Sequence, residues 1–295
     1  MKLALIAVIV ALTVAAAAPA AQRTSKATLT VYAAASLTDA FPKIAPAARY
    51  SFGGSNALAA QIKQGAPADV FASANMTLPR QLNNAKLCSK PVVFTRNRLV
   101  VIVPKANPAD IQSVYDLRKH GVKLVIAAPG VPVGSYTLQV LKNMNLSGVL
   151  ANVVSRETDV REVLAKVALG EADAGFVYSS DARTVPGKVR VLKIPAWAQP
   201  KVQYGICIVS SSGNKPAAAA FIKKVVGKAG QTILLKYGFL PRIKPRRKPW
   251  SDAACSGPSS SLRRRSRWRS WRCRWWRSSF ASPRGGSSTS SRIRS

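Results

Sequence analysis

Along residues 28–241 the chain alternates between two rhythms of apolar and polar positions. Short apolar, often β-branched runs occupy 29–33, 50–52, 70–72, 99–103, 123–127, 175–178, 189–194 and 204–209. Between them lie helix-length stretches whose apolar residues recur every three or four positions: 38–47, 56–64, 78–83, 113–118, 135–144, 160–169 and 216–226, with a last one at 230–236. Strands taking turns with helices over two hundred residues predict α/β layers built on mostly parallel sheets. In such folds ligands collect at the carboxyl ends of strands, beside helix N-termini.

Two runs stand out from the others. Residues 97–103 (Asn-Arg-Leu-Val-Val-Ile-Val) and 203–210 are long and strongly apolar, and they bracket an inner segment of the chain. A segment entered and left by two such runs predicts two lobes joined by a double hinge, an arrangement suited to closing over a small ligand. The predicted organisation is a first lobe from 23–96 and 205–241, a second lobe from 97–204, and a leader and a tail outside both.

The candidate binding chemistry lies in turns that expose backbone N–H groups. After the first strand, Val31-Tyr-Ala-Ala-Ala-Ser-Leu-Thr-Asp-Ala-Phe41 places Ser36 where a helix is expected to begin. A serine there reads first as a helix cap, and the unpaired amides beside it also suit an anion. Phe52-Gly-Gly-Ser55, Pro129-Gly-Val-Pro-Val133-Gly-Ser-Tyr136 and Glu157-Thr-Asp159-Val160-Arg161 repeat the arrangement, and Gly175-Phe-Val-Tyr178-Ser-Ser-Asp181 ends a strand with a phenol and two hydroxyls. Four donor-rich turns in one two-lobed frame predict a binding cleft.

Catalytic chemistry has few candidates. His120, the sole histidine, sits in Arg-Lys-His-Gly after a helical stretch and reads as a solvated helix end. Without it no ordinary triad can be assembled. Asp69, Asp159 and Asp181 read as turn or cap residues, no His, Cys or Asp set has metal-ligand spacing, and there is no Gly-rich Lys-Ser/Thr phosphate loop. The expectation is a binding protein without a cofactor, and not an enzyme.

Charge and composition add the two ends. Met1 to Gln22 reads as a secretory signal peptide, with Lys2, an apolar core and a run of alanines before the cleavage zone. Of the formal net charge of +34, residues 242–295 carry 16 Lys+Arg against one acid, and residues 1–241 carry 29 against 10. The body is therefore basic in its own right, which steers anionic partners toward it. The Arg/Ser/Trp-rich tail reads as disordered. Read one base earlier, each Trp codon becomes one for Leu, Met or Val, so Trp268, Trp271, Trp275 and Trp276 are also consistent with a frameshifted C-terminus. The alternative, a nucleic-acid- or membrane-surface-binding protein, rests on this tail alone. Export permits a Cys88–Cys207 disulfide, but Cys207 lies within an apolar strand-like run, which favours a free buried thiol.

Several of these segments also carry a family resemblance. Val31-Tyr-Ala-Ala-Ala-Ser-Leu-Thr-Asp-Ala40, Gly65-Ala-Pro-Ala-Asp-Val-Phe71, Val131-Pro-Val-Gly134, Glu157-Thr-Asp-Val-Arg161, Gly175-Phe-Val-Tyr-Ser-Ser-Asp-Ala182 and Lys236-Tyr-Gly-Phe239 occur in order. Together they resemble the periplasmic molybdate-binding proteins of ATP-binding-cassette importers. The resemblance implies a two-lobed, type II periplasmic-binding-protein fold and a periplasmic monomer that delivers molybdate, and tungstate with it, to an inner-membrane permease. It implies that neutral donors hold the oxyanion: hydroxyls and amides of Ser36 and Ser55 from the first lobe, amides of Val133 and Val160 and the phenol of Tyr178 from the second. Two positions depart from the usual family pattern. Phe-Gly-Gly-Ser replaces a more serine-rich loop, and Val133 stands where alanine is common. A relative tuned to another oxyanion such as sulfate is the alternative within the same class.

Overall fold

A computed structural model describes residues 28–242; the predicted signal peptide and nearly all of the tail lie outside them. Among the described residues, ten strands and eight α-helices follow one another. The strands are β1 (Thr30–Ala34), β2 (Arg49–Gly53), β3 (Val70–Ser73), β4 (Val92–Arg96), β5 (Leu99–Pro104), β6 (Leu124–Ala127), β7 (Val153–Glu157), β8 (Ala174–Tyr178), β9 (Val189–Lys193) and β10 (Gln203–Ile208). The helices are α1 (Phe41–Ile44), α2 (Ser55–Lys63), α3 (Thr77–Asn84), α4 (Pro132–Asn143), α5 (Val160–Ala168), α6 (Ser179–Ala182), α7 (Lys215–Val226) and α8 (Lys228–Lys236).

Two five-stranded sheets result, in the orders β2-β1-β3-β10-β4 and β7-β6-β8-β5-β9. The two-lobed α/β architecture expected from the sequence is present, one sheet to a lobe, and all the described residues fall in one compact unit. Each sheet keeps a parallel half, β2-β1-β3 in the first and β7-β6-β8 in the second. The other strands run antiparallel, β10 against β3 and β4, and β5 against β8 and β9. The reason is topological. β–helix–β crossovers make parallel neighbours, whereas β5 and β10 each arrive from the opposite lobe. The chain passes from one sheet to the other at Asn97–Arg98 and returns between Lys193 and Gln203.

The core strands read as continuous apolar runs because both faces are covered. β3, β5, β6 and β8 are buried at every residue. The two strands absent from the sequence reading, β4 and β7, are both edge strands with exposed or half-buried positions, so neither presents a full apolar run. The helix expected over 38–47 shrinks to α1, preceded by a single 3-10 turn (Ala35–Leu37), and the segment over 113–118 is 3-10 rather than α-helical.

The cysteines correct an expectation. Cys88 and Cys207 form a disulfide, with Cα atoms 6.0 Å apart and a sequence separation of 119. They are not free thiols. Cys207 is indeed in a buried strand, but the segment after α3 runs beside β10: Ser89 N–H donates to Ile208 O and Ser210 N–H to Leu87 O. Cys88 is thereby brought across from Cys207, within a satellite apolar cluster containing Leu58, Ile62, Phe71 and Leu82. A reading confined to one run of residues does not show a neighbour so distant in sequence.

Candidate functional site

The cavity between the lobes is lined by Ala34, Ala35, Ser36, Gly53, Gly54, Ser55 and Ala74 from the first and by Val131, Pro132, Val133, Asp159, Val160 and Tyr178 from the second. All five residues singled out in the sequence therefore meet at one place. Its volume, taken as the room open to the centre of a water molecule, is about 20 Å³. Adding the radius of a water gives a chamber roughly 3 Å in radius, enough for a tetrahedral oxyanion and too small for a sugar or an amino acid. Lysine, arginine and histidine are absent from the lining.

Ser36 belongs to the 3-10 turn that follows β1, and its hydroxyl caps no helix. Its Oγ lies 2.9 Å from the hydroxyl of Tyr204 on β10. The Tyr204 hydroxyl also lies 3.4 Å from Asn97 Nδ2, an amide that can only donate. Tyr204 can then donate its O–H to Ser36 Oγ, which leaves the serine O–H available to the cavity. Asn97 is itself fixed: Nδ2 donates to Ser180 Oγ at 2.8 Å, while Oδ1 accepts from Ser179 Oγ and Arg98 N. Asn97 and Tyr204 are the supporting residues that the sequence reading missed. The polar hydroxyl of Tyr204, at the start of an otherwise apolar strand, was the available signal.

Ser55 is the first residue of α2, behind Gly54 as N-cap, at the helix start expected for it. Its Oγ accepts the Ala74 N–H at 3.1 Å, which leaves its O–H free to donate. The Ser55 amide is also free of the helix ladder, as first-turn amides are.

The second lobe contributes two more helix starts. Val133 follows Pro132 in the first turn of α4, where backbone amides have no partner within the helix. That helix can start so close to β6 because residue 134 is glycine: a Cβ there would stand 2.3 Å from Ala128 O and 2.5 Å from Ala127 O. Val160 opens α5. The carboxylate of Asp159, the N-cap, accepts the amides of Arg161 at 2.6 Å and Glu162 at 3.2 Å. The acid is spent on the helix, and the Val160 amide is not among those it captures. Three helix N-termini, those of α2, α4 and α5, thus converge on the cavity and give it positive potential without a cationic side chain.

Tyr178 closes the set. Its hydroxyl is buried and has no hydrogen-bond partner, and its ring meets that of Tyr204 edge to face at 5.6 Å. Burial raises both phenols well above the usual tyrosine range, so each keeps its proton and remains a donor. A buried hydroxyl left unpaired is destabilising by about 1–3 kcal/mol unless something accepts from it. Behind it, the buried Asp181 accepts Tyr178 N–H at 3.3 Å. Burial pushes the Asp181 carboxyl up to about 7, although the guanidinium of Arg161 pulls it down.

His120 is exposed in a turn, as a solvated helix end should be. Among the described residues no group of three or more His, Cys, Asp or Glu side chains could hold a metal ion. No described helix is long and apolar enough to cross a membrane.

Comparison with known proteins gives the same answer at each level. The model of the bacterial extracellular solute-binding proteins matches residues 29–240. The molybdate-binding protein ModA of Mycobacterium tuberculosis is 36% identical over 234 residues, 76% of this chain and 88% of that protein. Its counterpart in Escherichia coli is 33% identical over 227 residues, 72% of this chain and 88% of the relative. The periplasmic molybdate-binding protein of Azotobacter vinelandii superposes with a TM-score of 0.64 at 25% identity, covering 72% of this chain and 98% of that one. The sulfate-binding protein SubI of Mycobacterium tuberculosis, 18% identical, shares the fold with a TM-score of 0.64 over 72% of this chain and 86% of its own. The chain belongs to the bacterial extracellular solute-binding proteins, the family of its molybdate-binding relatives.

Proposed function

We propose that the protein captures molybdate, and tungstate with it, between its two lobes and delivers it outside the cytoplasm to the permease of an ATP-binding-cassette importer. The observation that carries this reading is a chamber of oxyanion size lined by donors from both lobes. Ser36 and Ser55 donate from one side, and the amides of Val133 and Val160 and the phenol of Tyr178 from the other. Molybdate is an unprotonated dianion at neutral pH, so each of its oxygens accepts and none donates. Phosphate retains a proton near neutrality and needs an acceptor. The one acidic side chain in the lining, Asp159, is committed to the amides of α5.

Neutral donors also suit a protein that must release its cargo. A bidentate arginine would hold the anion in either lobe alone, whereas donors split between lobes lose half their number when the lobes part. Sulfate is likewise an unprotonated dianion but smaller, so chamber size is what discriminates against it. Tungstate, nearly the size of molybdate, binds with it. Titration calorimetry with molybdate, tungstate, sulfate and phosphate tests the reading. Tight binding of the first two and weak binding of the last two is expected, and a preference for sulfate or phosphate overturns it.

A further inference from the structure

Arg161, the second residue of α5, is held by its own lobe from two directions. Its Nε lies 3.1 Å from Asp181 Oδ1, and Nη1 donates to Thr184 Oγ1 at 3.2 Å. This leaves Nη2, which reaches Asp39 Oδ2 at 2.5 Å. Asp39 stands between the Ser36 turn and α1, in the first lobe. Three ion pairs occur among the described residues. Arg161–Asp181 and Lys166–Glu157 each lie within the second lobe, and Asp39–Arg161 joins the two lobes.

The position of this pair matters more than its existence. Arg161 is peptide-bonded to Val160, which lines the cavity, and its own amide is fixed by the Asp159 cap at 2.6 Å. Asp39 follows Ser36 by three residues. The two strands of backbone that line the cavity therefore continue directly into the two partners. The guanidinium is already oriented by Asp181 and Thr184, so little side-chain freedom remains to be lost when Asp39 arrives. With the lobes apart, Asp39 is solvated and Arg161 keeps its partners at home, so the contact favours the closed form alone.

We propose that Asp39 and Arg161 form a latch that fastens the lobes over the bound anion and sets its release rate, Arg161 acting as a positioning residue that touches no ligand. This rests on the oxyanion-binding reading. The side chains remain 41% and 25% exposed, so the latch tunes closure and does not dominate it.

The test compares the wild type with Asp39→Asn and Asp39→Glu. Stopped-flow measurement of molybdate release is expected to show release about two- to fivefold faster in Asp39→Asn, with the association rate unchanged. Asp39→Glu, which keeps the charge, should restore slow release, and 1 M salt should narrow the difference between wild type and Asp39→Asn. A general packing defect would not be rescued by Glu or screened by salt. In the ligand-free protein, paramagnetic relaxation enhancement between labels on the two lobes should show the minor closed population falling by the same factor in Asp39→Asn. Unchanged release and an unchanged closed fraction overturn the latch, as does a ligand-free wild type and Asp39→Asn pair that show no closed population alongside equal release. A wild type that binds none of the four oxyanions while Asp39→Asn still lowers the closed fraction defeats the functional reading and leaves the latch standing.

Discussion

Gly54 gives the sharpest handle on closure. Its backbone, at φ −59° and ψ 127°, is one that any residue adopts, so replacing it with alanine introduces no backbone strain. What the added Cβ meets most closely is the other lobe: the carbonyl oxygen of Thr158 would stand 2.4 Å away, against 2.9 Å for the side-chain Oδ1 of Asn56 in its own lobe. Real Cβ atoms essentially never approach within 3.0 Å of a heavy atom, and the obstacle is backbone, so the lobes must stay at least 0.6 Å further apart at this point. Hydrogen bonds from Val133, Val160 and Tyr178 to an anion seated on the first lobe would lengthen from about 2.9 Å to about 3.5 Å, the outer limit of such a bond. Losing the equivalent of two of these three charge-assisted bonds, at about 1.5–3 kcal/mol each, weakens molybdate binding by about 3–6 kcal/mol, roughly 10²- to 10⁴-fold in Kd. Calorimetry supplies the affinity, and a thermal melt of the ligand-free variant, expected to match the wild type, shows that folding is untouched. Gly54→Ala binding molybdate with wild-type affinity refutes the closed-cleft geometry.

Tyr178→Phe should lower affinity without touching the fold. Loss of a donor to the anion weakens binding about 10- to 150-fold, while the ligand-free melting temperature stays at the wild-type value because the hydroxyl meets water when the lobes are apart. A variant that binds normally contradicts the donor role. The Cys88–Cys207 bond closes a long loop, and in the chain-entropy account its loss lowers stability by about 4–5 kcal/mol. A melt of Cys88→Ala/Cys207→Ala unchanged from wild type would rule that out. Asp181 gives a pH signature. Because its folded carboxyl titrates near 7, above the unfolded range near 4, its stabilising contribution is full below pH 4 and is lost as pH rises through 7. Asp181→Asn should remove that downward slope between pH 4 and 7, and melting curves that stay parallel to wild type across the window would count against a buried, proton-retaining Asp181.

The sequence revealed most of this architecture where burial was complete. β3, β5, β6 and β8 show as apolar runs because both faces are covered, whereas the edge strands β4 and β7 end in Thr95-Arg96 and Ser155-Arg156-Glu157, which cut their apolar runs short. The five candidate site residues converge on one cavity, but the partners that hold the two serines do not show in the sequence. Ser36 reads as a cap and is none, Ser55 does stand at a helix start, and both are oriented by partners outside their own turns, Tyr204 and the Ala74 amide. The first is set by β10 returning into the first sheet from more than a hundred residues away and the second by the end of β3, so local pattern carries no trace of either. The disulfide was missed for the same reason.

That returning strand has a consequence for how the molecule comes into being. β10 lies between β3 and β4, and it carries both Tyr204 and Cys207. A chain emerging from its N-terminus exposes all of β5 to β9 before β10 appears. The second lobe can therefore finish folding while the first still has a gap in its sheet. β4, with no other neighbour in that sheet, has nothing to pair with until the gap is filled. The lobe begun first is completed last, and the late strand that seals it also orients Ser36 and forms the covalent tie. Competence to bind is thus one of the final events of folding, so an unfinished chain cannot hold the anion.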